Sequence, residues 1–318
     1  MGSVELNNNN DILFAYLDFA CTLLDNDNLV EAFVYIQECK KISESIQIPE
    51  ERALHLLYTQ ALYYAKLGDT AQACEFANKV LELCGDRDSI YGYKNCSAAL
   101  IEIEKVVGLS YNDDENEVRE GLFRVYAKVR ELIFSEDENV VFHNIFYNFI
   151  LSVRGKRLLE HLQYELATEA LLAEDFEFVS AYLEPIVLYI QSLGKSGEDR
   201  LEVLSSAYCK AVEQGHDRLV VYICEDLGEF YYPNSFKYLD YLTKAGEAVE
   251  RLLKRVPERH HEFFLERHGL KCTAQKMEEL ADFLESEEYA EMKRKAILAE
   301  SQESYPEESS PEECCPEE

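Results

Sequence analysis

The chain has 318 residues and carries 62 Asp and Glu against 31 Lys and Arg, which gives a net charge of −31 at pH 7. Nucleic-acid phosphates and anionic membrane surfaces repel such a protein, and no sustained basic patch offsets this field, so we expect neither as a partner. Hydrophobic residues make up 47% of the chain, enough to bury a sizeable core, and this composition excludes disorder of the whole chain.

The chain is predicted to begin with a short flexible N-terminus, residues 1–10. This segment is polar and includes four consecutive asparagines, so it lacks the basic start and the apolar run of a secretory signal. No later stretch approaches 18 uninterrupted apolar residues. The first eight of the ten cysteines are scattered singly among apolar helical positions, as is typical of free thiols in a core. Together these features predict a cytoplasmic protein.

Helical periodicity dominates the chain from residue 11 onward. Apolar residues recur at steps of three and four, and no proline lies between Pro49 and Pro185. This pattern predicts about fourteen amphipathic helices. Short turns such as Gly68-Asp69 and Gly85-Asp86 separate them, so the natural unit is an antiparallel helical hairpin.

The strongest hairpin signal lies in residues 52–85. Large apolar, aromatic, small and turn residues occupy the positions where two helices of a hairpin meet, namely Leu57, Ala61, Tyr64, Gly68, Asp69, Ala73 and Leu83. With these residues the window resembles a tetratricopeptide repeat, a helix-turn-helix module of about 34 residues. The window departs from the usual leucine, aromatic residue, alanine and proline of that family at Gln60, Ala77, Val80 and Gly85.

Weaker copies of this pattern fall near residues 16–32, 167–179 and 204–220. The resemblance implies an all-α fold, in which residues 11–256 form a right-handed superhelical solenoid of antiparallel hairpins. The alternative is an unrelated helical bundle that contains one repeat-like hairpin. Each repeat buries its apolar face against its neighbours, so such a stack needs a terminal element with a polar outer face.

The C-terminal part of the chain differs from the repeats. Residues 257–299 are predicted to form capping helices that cover the last repeat. Residues 300–318 contain three Pro-Glu-Glu triplets and eight glutamates but no basic residue. This composition predicts a disordered acidic tail.

No sequence pattern indicates a catalytic, cofactor or metal site. Residues 194–196 read Gly-Lys-Ser, but Tyr189 stands where a phosphate-binding loop needs its first glycine, so we expect a helix end and a turn. One group of potential zinc ligands lacks a recognised spacing and is expected to be a solvated helix end, namely His260, His261, His268 and Cys272. We therefore expect no enzyme, no cofactor and no metal.

The tetratricopeptide resemblance implies a concave groove lined by the first helix of each hairpin. The candidate groove residues, carried over position by position, are Phe14, Leu17, His55, Tyr58, Leu62, Lys66, His161, Tyr164 and Thr168. Asn144 and Asn148 share one face of a predicted helix, and their amides could hydrogen-bond a peptide backbone. For all these residues, ordinary packing between helices is the alternative.

These features predict a non-catalytic scaffold or adaptor that binds a protein or peptide segment in the groove. A basic segment is the expected ligand because the chain is so acidic. The alternative is a peptide-sensing regulator resembling the bacterial pheromone receptors, without a DNA-binding domain because the first hairpin starts by residue 11. An enzyme with a helical active site is a third class, for which no residue stands out. The sequence leaves the oligomeric state open.

Overall fold

The computed structural model describes residues 2–86, 92–108, 115–133, 149–151, 154, 184–232, 236–284, 286–287 and 289–295. Every regular element within these ranges is a helix, which confirms the all-α class. The acidic tail lies outside the described residues, as do five of the candidate residues, Asn144, Asn148, His161, Tyr164 and Thr168.

The described α-helices are α1 (Gly2–Asp25), α2 (Leu29–Ser45), α3 (Glu50–Leu67), α4 (Thr70–Cys84), α5 (Tyr93–Val107), α6 (Glu115–Ile133), α7 (Glu184–Leu193), α8 (Gly197–Glu213), α9 (Asp217–Glu229), α10 (Phe236–Leu253), α11 (His261–Arg267) and α12 (Lys271–Leu284). A short 3-10 helix, Glu258–His260, precedes α11. Among these helices, none is both long enough and apolar enough to cross a lipid bilayer.

Consecutive helices pack against each other as antiparallel neighbours, most extensively in the pairs α1–α2, α3–α4, α7–α8 and α9–α10. In addition, α1 packs on α3 and α3 packs on α5, so the first helices of successive hairpins lie side by side. This is the hairpin arrangement that the periodicity and the short turns predict.

The first helix begins earlier than the sequence predicts. The prediction places a flexible terminus over residues 1–10, whereas α1 starts at Gly2 and includes the asparagine run. Asparagine is a weak helix former, but propensity yields to packing when a helix buries an apolar face. Leu13 and Leu17, both fully buried, supply that face, and the preceding residues extend the same helix.

The hairpin of α3 and α4 matches the window 52–85. Gly68 ends α3 with a φ of 88°, a left-handed conformation that favours glycine. The Asp69 carboxylate caps α4 by accepting a hydrogen bond from a first-turn N–H at 3.1 Å. Ala61 and Ala73 are fully buried, which is consistent with the small residues that the repeat pattern places where two helices touch.

Of the described helices, α3 and α9 have the largest share of their residues buried. The neighbours of α3 are α1, α2, α4, α5 and α11, so its polar residues cannot all face solvent. Its buried polar residues are His55, Thr59, Gln60 and Lys66, and those of α9 are Asp217, Arg218 and Asp226. Buried polar groups are costly unless other groups of the protein hydrogen-bond them.

A buried ion-pair network joins the first turn of the chain to its C-terminal helices. Asp27, in the α1–α2 turn, accepts hydrogen bonds from Lys66 Nζ at 2.8 Å and from Arg218 Nη2 at 3.2 Å. Arg218 Nη1 also donates to His268 Nδ1 at 2.8 Å, and His268 Nε2 donates to the Lys66 carbonyl at 2.9 Å. We call these four residues the closing network.

The protonation states of the closing network follow from burial and charge. Burial alone raises the pKa of Asp27, but the charges of Arg218 and Lys66 outweigh it and lower the pKa to about 2. Burial lowers the pKa of Lys66, against the opposing charge of Asp27. Burial, together with the Arg218 charge, holds the pKa of His268 well below 6.5. His268 is therefore neutral, as its acceptor role at Nδ1 requires.

The segment predicted to cap the last repeat also contacts the first hairpins. Arg267, at the end of α11, donates to Glu104 of α5 at 2.5 Å, and both side chains are buried. Just beyond the end of α10, the Arg255 carbonyl accepts a hydrogen bond from the Val30 N–H at 2.9 Å. The chain therefore closes on itself, instead of having contacts only between neighbouring repeats.

Gly68→Ala tests the packing of α11 on the α3–α4 turn. A Cβ at position 68 would lie 3.0 Å from Arg267 Cβ and 3.2 Å from the Phe263 carbonyl oxygen, while at Gly215 it would meet nothing within 4 Å. Both glycines have a positive φ, 88° and 73°. We expect Gly68→Ala to lower the free energy of unfolding by about 2 to 3 kcal/mol and Gly215→Ala by about 1 kcal/mol, measured by urea unfolding. Equal losses would contradict the packing of α11 on this turn.

Candidate binding cleft

The predicted groove residues that the structure describes are mostly buried. Five of the six are at most 6% exposed, namely Leu17, His55, Tyr58, Leu62 and Lys66. Phe14 is 39% exposed, and the Arg52 guanidinium lies 3.9 Å from the centre of its ring. Such burial is expected if these residues pack between helices, which is the alternative interpretation. A Tyr58→Ala variant would therefore disturb the core before it tested any binding surface.

His55 has the environment of a core histidine. Its ring stacks on Tyr93 at 5.5 Å between centroids, and its Nε2 lies 3.6 Å from the Cys21 sulfur. The Nδ1 atom is buried and has no hydrogen-bond partner in the protein. Burial, with the nearby charge of Arg52, lowers the pKa of His55 to about 4.

Two of the residues considered as metal ligands, and the segment considered as a phosphate loop, have structural roles. His268 belongs to the closing network, and His261 Nε2 donates to the Val256 carbonyl at 2.9 Å. In the described ranges, no group of three or more His, Cys, Asp and Glu side chains is arranged to hold a metal ion. Residues 194–196 form the turn between α7 and α8, as predicted.

The described part of the chain contains eight cysteines, all with free thiols. Burial raises the pKa of Cys21, Cys39 and Cys224 to about 12, so these thiols stay protonated. They act as small apolar groups of the core, as the sequence predicts.

The described helices leave a cleft of about 530 Å³ between α7, α8, α9, α10 and α12. We call it the α9 cleft, because α9 supplies half of its charged lining, more than any other helix. Its charged lining residues are Arg154, Arg200, Lys276, Glu225, Asp226 and Glu229. With three cationic and three anionic side chains, this lining is electrically neutral within a strongly acidic protein.

Asp226 is the centre of a hydrogen-bond network in the cleft lining. It accepts from Arg154 Nη2 at 2.7 Å and from the Tyr189 hydroxyl at 2.9 Å, while Arg154 Nε donates to the Tyr189 oxygen at 2.8 Å. Arg154 Nη2 also reaches Glu225 at 3.3 Å, and the Thr273 hydroxyl donates to the same carboxylate. These partners compensate one another's charges and hold one another in place.

Three other charged groups of the α9 cleft make no side-chain hydrogen bond to the described residues, namely Arg200, Lys276 and Glu229. The Arg200 guanidinium lies 3.6 Å from the nearest oxygen of Asp226, which is an ion pair but too long for a hydrogen bond. Its Nε atom is shielded from solvent and has no acceptor within the protein. These groups are available to a ligand.

Exposed aromatic residues border the α9 cleft. Tyr232 is 68% exposed and makes an edge-to-face contact with Tyr238, with ring centroids 5.5 Å apart. The Phe230 ring lies 5.6 Å from the Arg200 guanidinium. Concave surfaces that combine aromatic side chains with a few polar groups are typical of binding sites.

Sequence reasoning missed these residues, although one signal was present. Residues 230–241 contain six aromatic residues in twelve positions, more than a core helix and a turn require. Arg200 and Lys276 gave no signal, because they are ordinary charged residues of predicted helices. Only the packing of α8, α9 and α12 brings them to one cleft.

The first hairpin also exposes four large apolar side chains, Phe14, Phe19, Val30 and Val34. The α9 cleft is the better candidate site because it is concave and places charged groups without hydrogen bonds to described residues beside aromatic rings.

No family model, no curated protein and no solved structure matches this chain. The resemblance to tetratricopeptide repeats therefore depends on the residues of the 52–85 window and on the helical hairpins. The α9 cleft is therefore the feature on which a proposed function depends.

Proposed function

We propose that the protein is a non-catalytic interaction scaffold or adaptor that holds a segment of a partner protein in the α9 cleft. The observation that carries the proposal is the exposed Tyr232 beside a partly open cleft. In this cleft Arg200, Glu229 and Lys276 have no hydrogen-bond partner among the described residues. Tyrosine and arginine are the residue types that most often dominate binding energy at protein interfaces. The proposed surface differs from the groove that the repeat resemblance implies.

The size of the cleft indicates what it could hold. A volume of about 530 Å³ accommodates a few side chains of an inserted segment but not a folded domain. The net charge of −31 favours the approach of basic proteins over distances at which salt does not screen it. The cleft residues then determine which segment binds.

The titratable groups of the cleft support binding over catalysis. The Cys224 thiol stays protonated because burial raises its pKa to about 12. Burial also raises the pKa of Tyr189, and its hydroxyl donates to Asp226. Asp226 in turn is held by Arg154. These contacts orient the side chains and neutralise charge, and none of them activates a nucleophile.

A pull-down of the full chain from its source cells, with identification of the retained protein at low and raised salt, tests the proposal. We expect Tyr232→Ala to weaken retention of the partner at least about tenfold. Phe263→Ala is the matched control, since Phe263 is an aromatic residue 63% exposed that does not line the cleft. A partner that both variants retain equally would contradict binding at the α9 cleft.

A further inference from the structure

Arg200 has the largest unmet hydrogen-bonding capacity in the α9 cleft. Its guanidinium carries five N–H donors, and none of them has an acceptor at hydrogen-bond distance among the described residues. The Nε donor is also shielded from solvent. The nearest carboxylate, Asp226, already accepts from Arg154 and from Tyr189. Because a buried donor without an acceptor is unfavourable, the site favours a ligand that brings an acceptor.

The cationic groups without a hydrogen bond in the described part of the cleft favour an anionic acceptor. Arg154 donates hydrogen bonds to Asp226 and to Glu225. Arg200, which is only ion-paired with Asp226 at 3.6 Å, and Lys276 donate none to the described residues, and Glu229 accepts none from them. At physiological ionic strength, charges more than about 8 Å apart are largely screened. A ligand in contact with the cleft is therefore affected more by the side chains that line it than by the distant charges of the chain.

The planar shape of the guanidinium favours one kind of acceptor, a carboxylate. A carboxylate accepts two parallel hydrogen bonds from a guanidinium, whereas a neutral amide oxygen offers a weaker acceptor. The Phe230 ring beside Arg200 limits the directions from which a ligand can approach.

We propose that Arg200 binds a side-chain carboxylate, from an aspartate or glutamate of the partner segment, with Lys276 adding to the attraction. This inference rests on the proposed function, because it names the chemistry of the segment held in the cleft. Glu229, also free, disfavours a ligand with negative charge alone. A polypeptide segment offers a carboxylate to Arg200 and a basic or aromatic residue to Glu229 and Tyr232.

The test follows the Arg200 Nε–H resonance in proton–nitrogen spectra of the full chain. That resonance is assigned as the signal that disappears in Arg200→Lys. The probes are capped hexapeptides in which glycine alternates with glutamate, glutamine or lysine. The internal control is Arg119, whose guanidinium lies 5.7 Å from the centre of the Phe123 ring, a similar arrangement outside the cleft.

We expect the glutamate peptide to shift the Arg200 signal saturably and to bind at least about tenfold more tightly than the glutamine peptide. The lysine peptide should leave the signal unchanged, and Arg119 should not respond to any probe. An Arg200 signal that ignores the glutamate peptide, or that responds equally to the glutamine peptide, would overturn the inference.

The Tyr232 and Arg200 variants test the binding site and the carboxylate anchor separately. If Tyr232→Ala abolishes partner retention while Arg200→Lys leaves it unchanged, the cleft is the binding site but the carboxylate anchor is wrong. If Tyr232→Ala and Phe263→Ala both retain the partner, the proposed binding site itself is wrong.

Discussion

Asp27→Ala is expected to lower the free energy of unfolding by about 3 to 5 kcal/mol, because it leaves two buried cations without their carboxylate. Lys66 and Arg218 are 2% and 0% exposed at their side chains, and both pair with Asp27. Neither can reach water without separating helices. Urea unfolding followed by circular dichroism measures the loss.

Two further variants make this result interpretable. Asp27 has a φ of 53°, which asparagine also tolerates, so Asp27→Asn removes the charge without adding backbone strain. We expect Asp27→Asn to lower the free energy of unfolding by most of the amount that Asp27→Ala does. The matched control is Asp240→Ala, since Asp240 pairs with Lys244 at 2.7 Å on the surface and should matter by less than about 1 kcal/mol. Similar losses for Asp27 and Asp240 would contradict the role assigned to the closing network.

The free energy of unfolding is expected to fall by about 3 kcal/mol between pH 6.5 and pH 4 on account of His55. In the unfolded chain His55 takes up a proton as the pH falls through 6.5, whereas in the folded chain its pKa is about 4. The unfolded state then binds more protons, so acidification favours it. The pKa of His268 is lowered in the same direction, which adds to the loss. Below about pH 4, protonation of Asp27 lowers the free energy of unfolding further, down to about pH 2.

Urea unfolding at a series of pH values, for the original chain and for His55→Phe, checks this expectation. Phenylalanine keeps a ring against Tyr93 and removes the buried Nδ1 that has no partner. The variant should lose stability less steeply between pH 6.5 and pH 4, with the remaining slope due to His268. An unchanged slope would show that His55 is not the titrating group.

The sequence was sufficient to predict the helical class and the α3–α4 hairpin, because these depend on local residues. The period of apolar residues and the pair Gly68-Asp69 lie within the hairpin that they specify. The burial of Lys66 depends on Asp27, 39 positions earlier, and on Arg218, which belongs to another part of the chain. Periodicity carries no information about such partners, so the sequence alone predicts Lys66 to be a groove residue.

The same reason explains why the α9 cleft was missed. Tyr232 and Tyr238 belong to an aromatic stretch that is visible in the sequence, whereas Arg200 comes from α8 and Lys276 from α12. Their free hydrogen-bonding groups become evident only when the neighbours of each guanidinium and ammonium group are known.

The closing network also determines the order in which the protein can complete its fold during synthesis. A stack with contacts only between adjacent repeats can form repeat by repeat as the chain emerges from the ribosome. Here Asp27 and Lys66 can pair early, but Arg218 is 191 positions beyond Asp27 and His268 follows later still. Contacts so distant in sequence form slowly. The N-terminal hairpins must therefore wait, incompletely covered, until nearly the whole helical chain has been made.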